Sequence, residues 1–286
     1  MATFFRIHNN TLFPIKDQEV LGFDIKEPSY IPSEYLNQCE FLVLRTCFGL
    51  GDWGIISAMP RLLKQKYPNC KVYLPSDQLM DSIFGSDYKK QWGSWANPYD
   101  NMRHVFDNNP YVDGEIDTYN GEVYHDHFRL AKIDEEPLVK QMLRFWQFNE
   151  NELTDLCPEL YFSDEEKKFG NSIIDEYTNG KYGTLLISDR FKDNPDWVQK
   201  LQHQIDVIDL PMFYWLHSPD VPFNFKKILD LRHIHPRIQL YLKCQATSNV
   251  GLQCGVNDTV ARYADTYSLV RGKLGTNVVE CEYYIL

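Results

Sequence analysis

Apolar positions change period within one stretch, Glu40 to Ser76. Phe41 to Leu44 is a continuous apolar run, too short for a helix and flanked by polar residues, which predicts a buried strand. A tight turn, Phe48-Gly49-Leu50-Gly51-Asp52, follows. Apolar residues then recur at Ile55, Ile56, Met59, Leu62 and Leu63, the three-to-four spacing of a helix packed on a sheet. Pro68 and Asn69 stop that helix, and Lys71 to Leu74 begins a second strand. The result is a βαβ unit with a glycine turn between strand and helix, where nucleotides and phosphates commonly sit.

Alternation before residue 38 predicts one or two short strands, as an edge hairpin. Asp77 to Phe84 reads as a short helix capped by Ser76 or Asp77, Lys89 to Arg103 as an aromatic loop, Gly114 to Asp117 as a strand and Glu136 to Phe148 as a helix. Ser163-Asp164-Glu165-Glu166 is a capping box opening a helix that Thr178-Asn179-Gly180 ends. The rhythm then restarts. Strands are predicted at Gly183–Ser188, Met212–His217, Ser248–Leu252 and Val278–Tyr284, with helices from Trp197, around Pro236–Lys243 and at Asp258–Tyr263. Strands alternating with helices predict a second parallel sheet, hence two α/β domains, 1–165 and 166–286, with a cleft between the carboxyl ends of their strands.

Composition narrows the class. The chain of 286 residues has 43% hydrophobic and 24% charged content, that of a globular protein with material for a sizeable core. Net charge is −11 and the basic residues are scattered, which disfavours a nucleic-acid partner. Seven widely spaced cysteines without a C-x-x-C pair predict reduced, buried thiols and a cytoplasmic setting. No apolar run approaches the ~20 residues of a membrane span, and association with a membrane surface is left open.

Candidate chemistry centres on the turn. Gly49-x-Gly51-x-x-Gly54, with Asp77 closing the next strand, has the spacing of a dinucleotide-binding fingerprint. Asp52-Trp53, however, puts an anion and a bulky ring where a pyrophosphate would approach. The same glycines suit a plain structural turn. Asp52 at the first turn of a helix is either a cap or a carboxylate held ionised by backbone N–H groups and able to take a proton from a hydroxyl. His125-Asp126-His127 and His233-Ile234-His235 place paired imidazoles on one strand face, but neither has a supporting cluster of metal-ligand spacing. No metal site is therefore expected, and His125 and His127 are assigned to the acceptor side. No G-x-S-x-G elbow or P-loop occurs.

Phe41 to Leu74 resembles the first strand, G-x-G-D loop and helix of glycosyltransferase family 9, the lipopolysaccharide heptosyltransferases. The similarity continues, in order, at Asn108–Asp117, at PELYFSDEEKKFGNSII, at Leu185–Trp197 and at Asp230–Ala264. It implies a GT-B fold: two Rossmann-like α/β/α domains with an interdomain cleft, the second binding a nucleotide sugar. It implies Asp52 as the base. It puts Ser188, Arg190 and Lys192 in the turn that meets the diphosphate, and Gly255, Asn257 and Asp258 in the later glycine turn, with Gly49 and Gly51 lining the first. Trp53 joins the acceptor side. Val256 and Asp258 stand where the family has proline and histidine.

The expected function is an inverting, metal-independent glycosyltransferase without a cofactor, its partners a nucleotide sugar and a glycan-type acceptor, with the halves closing over the substrates. The alternatives are an NAD(P)-binding oxidoreductase or epimerase and a catalytically silent GT-B-like binding protein. The sequence contains no Asp-x-Asp, the metal-holding signature of the other main glycosyltransferase fold.

Overall fold

The structure is a computed structural model, and it describes residues 4–8, 11–15, 33–38, 40–44, 49–85, 97–118, 139–140, 143, 148–187, 194–216, 223–225, 227–252, 255–269 and 284–285. Two sheets organise them. In the first, β1 (Phe4–His8) and β2 (Thr11–Ile15) form the expected antiparallel hairpin. β2 then runs parallel to β3 (Glu40–Leu42), β3 to β4 (Lys71–Pro75) and β4 to β5 (Gly114–Ile116), so the five strands lie in sequence order.

The helices of this half are α1 (Ser33–Leu36), α2 (Leu50–Gly54), α3 (Met59–Lys66), α4 (Asp77–Phe84) and α5 (Pro98–Phe106). The single helix expected after the glycine turn is two. A turn at 55–58 separates α2 from α3, which restarts with Pro60 in its first turn, where a missing N–H costs nothing. Ser76 caps α4 through the amide of Leu79. Residues 97–103, read as loop, belong to α5: Asn97 caps it by accepting the Tyr99 amide and Pro98 takes its first turn. Residues 86–96, and most of the helix expected at 136–148, lie outside the described residues.

The second sheet is wholly parallel. Its strands are β6 (Gly183–Ile187), β7 (Met212–Leu216), β8 (Ile228–Asp230), β9 (Ser248–Leu252), β10 (Asp265–Leu269) and β11 (Tyr284–Ile285). Their spatial order is β8-β7-β6-β9-β10-β11. The strand order therefore reverses between β6 and β9, the topological switch point at which doubly wound sheets bind ligands. The helices are α6 (Asp164–Tyr177), opened by the expected Ser163–Glu166 capping box, α7 (Pro195–Ile208), α8 (Pro236–Gln245) and α9 (Gly255–Val260). α8 is buried from Arg237 to Cys244. Its Lys243 Nζ donates to Thr184 Oγ1 of β6 at 2.8 Å, which is bonded in turn to Asn249 of β9, so a fully buried ammonium sits within a hydrogen-bonded set.

One hydrophobic cluster joins the two halves. Phe41, Trp53, Ile56 and Met59 of the first belong to the same buried set as Leu186, Leu240, Cys244, Val260 and Ala261 of the second. Irregular chain at 153–163 runs along this seam, clamped from both sides. Arg61 donates to Glu159 (2.7 Å) and to the Asp155 carbonyl (2.7 Å), while Arg262 donates to the Asp155 carboxylate (2.5 Å). The seam is thus packed at its centre. Among the described residues one cysteine departs from expectation: Cys70 and Cys244 are buried free thiols, but Cys157 is disulfide-bonded. Wide spacing along the chain says nothing about which sulfurs the fold makes neighbours.

Candidate active site

The two glycine turns converge on the seam. α2 starts beyond the carboxyl end of β3, and α9 beyond the carboxyl end of β9. Gly49 is the N-cap of α2 and Asp52 its third residue; Asp52 Oδ2 accepts the Gly49 N–H at 3.0 Å, while the Asp52 amide donates to the Gly49 carbonyl at 3.0 Å. Glycine at 49 is what permits this, because a methyl group there would stand 2.7 Å from Asp52 Oδ2. Asp52 is therefore a helix cap with one of its oxygens, and the side chain remains partly exposed. A carboxylate in this position is favoured by the helix N-terminus and by the N–H it accepts.

Gly51 and Gly54 are both buried. The small size of Gly54 has a partner: a methyl built on it would lie 2.8 Å from Cβ and Cγ2 of Thr259 on α9. The third glycine of the fingerprint thus serves helix packing between the halves. Trp53, expected on the acceptor side, is fully buried, its ring edge-to-face with Phe106 at 6.2 Å between centroids. Its indole N–H has no hydrogen-bond acceptor among the described residues. An apolar ring one residue after the turn is recruited to the core that α2 rests on. Asn257 is likewise fully buried, its amide nitrogen 2.9 Å from where a side chain on Gly251 would begin. Its side chain packs α9 against β9.

Gly255 heads α9, and Asp258 is its fourth residue. Ser188, Arg190 and Lys192 follow the carboxyl end of β6 in sequence and lie outside the described residues, as do His125 and His127. Among the described residues no three His, Cys, Asp or Glu gather as a metal site would require, and no helix is long and apolar enough to cross a membrane.

Two residues that the sequence did not single out, Arg237 and His104, meet on the seam. Arg237, at the head of α8, donates to the Glu166 carboxylate, to the Tyr161 carbonyl and to the His104 carbonyl (2.8 Å). Burial would raise the Glu166 carboxyl pKa, but Arg237 and the Ser163 amide overrule it and hold it below the usual value. His104 lies 5.1 Å from His235, ring centroid to centroid, and its pKa is lowered to about 4, first by burial and then by the charges of His235 and Arg237. A groove of about 390 Å³, with Tyr161, Phe162, Lys167, Tyr241 and Tyr263 among its walls, also lies on the seam. It is near the amino ends of β9 and β10, where α8 and the turn at Tyr263 lead into them, and none of the expected site residues lines it.

No protein-family model and no curated protein matches the chain. Solved structures do. The glycosyl transferase family 9 structure from Veillonella parvula DSM 2008 matches with a TM-score of 0.51 at 11% identity, covering 86% of this chain and 85% of that one. The E. coli ADP-heptose lps heptosyltransferase II matches with a TM-score of 0.50 at 13% identity, covering 86% and 89%. The chain therefore has the α/β fold, with parallel sheets, found in these glycosyltransferase structures. At such identities the likeness is one of fold.

Proposed function

We propose that the protein is an inverting glycosyltransferase that transfers a sugar from a nucleotide-diphosphate sugar to the hydroxyl of a glycan-type acceptor. The observation that carries this reading is Asp52: a carboxylate capping the helix beyond β3, partly exposed, in a fold shared with family 9 glycosyltransferases. Asp52 takes the proton of the acceptor hydroxyl as its oxygen attacks the anomeric carbon. The bond to the diphosphate breaks on the opposite face, so the configuration inverts. Charge building on the departing diphosphate is met by Arg190 and Lys192 and by backbone N–H groups at the Gly255 turn, with Ser188 as a further donor. Those cations make a metal ion unnecessary in this scheme. The two sheets correspond to an acceptor half, 1–165, and a donor half, 166–286. The switch point between β6 and β9 supports the donor assignment, since both phosphate-meeting segments follow the carboxyl ends of those two strands.

Incubation with a panel of nucleotide sugars tests the reading. Release of nucleoside diphosphate, accelerated by a glycan acceptor, supports it. Thermal stabilisation by nucleotide sugars without turnover would instead identify a silent binding scaffold, and binding of a nicotinamide cofactor, seen as a change in its fluorescence, would identify an oxidoreductase or epimerase.

A further inference from the structure

α2 has five residues, Leu50 to Gly54, and is too short to be held by its own hydrogen bonds. Its place is set by what surrounds it. Trp53 anchors one side in the core against Phe106. The chain leaving it is fixed where Ser57 Oγ accepts the buried amide of Glu159 at 2.8 Å. The remaining support comes from the other half. Thr259, 2% exposed, lies on Gly54 so closely that an added methyl group would be 2.8 Å from its Cβ and Cγ2, and closer still to Oγ1. No real side chain tolerates that approach, so α2 and α9 meet at a point without room to spare. Asp52 is two residues from that point.

We infer that Thr259 is a positioning residue for Asp52. By seating on Gly54 it fixes how far α2, and with it the Asp52 carboxylate, stands from the second sheet. Because Thr259 shares α9 with Gly255, whatever occupies the turn at Gly255 bears on the helix that holds Asp52. Only the catalytic consequence rests on reading Asp52 as the base; the seating stands apart from it.

Three proteins test this: wild type, Gly54→Ala, and the double variant Gly54→Ala/Thr259→Gly, which moves the missing side chain from one helix to the other. The activity-independent readout is the pH titration of the Asp52 side-chain carboxyl carbon by NMR, read with the melting temperature. Gly54→Ala displaces α2, and with it the Asp52 carboxylate relative to the charges and dipoles of the second half, so the Asp52 midpoint should shift by about half a pH unit or more. The double variant should return it to the wild-type value. Where a nucleotide sugar is turned over, Gly54→Ala should lower kcat about tenfold or more with donor KM little changed, and the double variant should recover most of the loss. If Gly54→Ala does not fold, folding and a wild-type Asp52 midpoint in the double variant carry the inference. A folded Gly54→Ala with the wild-type Asp52 midpoint overturns it, as does a double variant that restores nothing. A wild type that turns over no nucleotide sugar defeats the proposed function and leaves the titration to decide the seating.

Discussion

Arg237, at the head of α8, reaches across the seam to the main-chain carbonyl of His104 in α5, donating to it at 2.8 Å. The guanidinium is 2% exposed, stacks on Phe162 at 5.2 Å and also holds Glu166 and the Tyr161 carbonyl. One side chain thus ties an element of each half to the segment between them. Removing it strands a mostly buried carboxylate and two carbonyls.

Arg237→Met should therefore destabilise the fold by about 3–5 kcal/mol, the scale of a buried ion pair broken from one side. Urea denaturation followed by tryptophan fluorescence checks this. Arg237→Met/Glu166→Leu should recover much of the loss, because the stranded charge is gone.

His104 gives the seam a pH dependence. Its pKa is about 4 in the fold against the ordinary 6.5, through burial first and the neighbouring His235 and Arg237 next. The unfolded chain therefore binds this proton first, so stability falls as pH drops from about 6.5 toward 4 and is indifferent to His104 above that window. Glu166, held below 4.5, adds its own loss only beneath that. Measured between pH 4.5 and 7, the slope of unfolding free energy should flatten in His104→Gln, and an unchanged slope would remove His104 from the account.

The clamp on residues 155–159 sets a contrast between charges. Arg61 and Glu159 pair at 2.7 Å with side chains only 10% and 6% exposed, whereas Lys167 and Asp164 pair at 3.1 Å with 48% and 95% exposed. Arg61→Ala should cost about 3–5 kcal/mol and Lys167→Ala no more than about 0.5 kcal/mol. Paired melting curves of the two variants check the difference.

Much of this was legible in the chain because local chemistry and tertiary packing agreed. The apolar run at Phe41–Leu44, the Ser163–Glu166 box and the Ser76 cap each predict an element that the structure contains. β10 was missed because Thr266 and Ser268, polar by type, are the buried positions of its alternation. α5 was hidden by aromatics that read as loop, although Asn97-Pro98 is a cap followed by a first-turn proline. At the site, the turn and the place of Asp52 were readable from spacing. What the sequence could not give was tertiary contact: Trp53 turns inward onto Phe106, and Asn257 onto β9 beside Gly251. Arg61, Arg237 and Lys243 are buried cations for the same reason, and a pattern of polar and apolar types assigns such residues to solvent.

The measurement that bears most directly on the central claim is glycosyl transfer by Asp52→Asn beside wild type. Asparagine keeps an oxygen for the Gly49 amide, so the cap of α2 survives while the proposed base is lost. The account predicts transfer reduced by at least about 100-fold with the melting temperature nearly unchanged. Near-normal turnover in Asp52→Asn, or no turnover of any nucleotide sugar by the wild type, would contradict it.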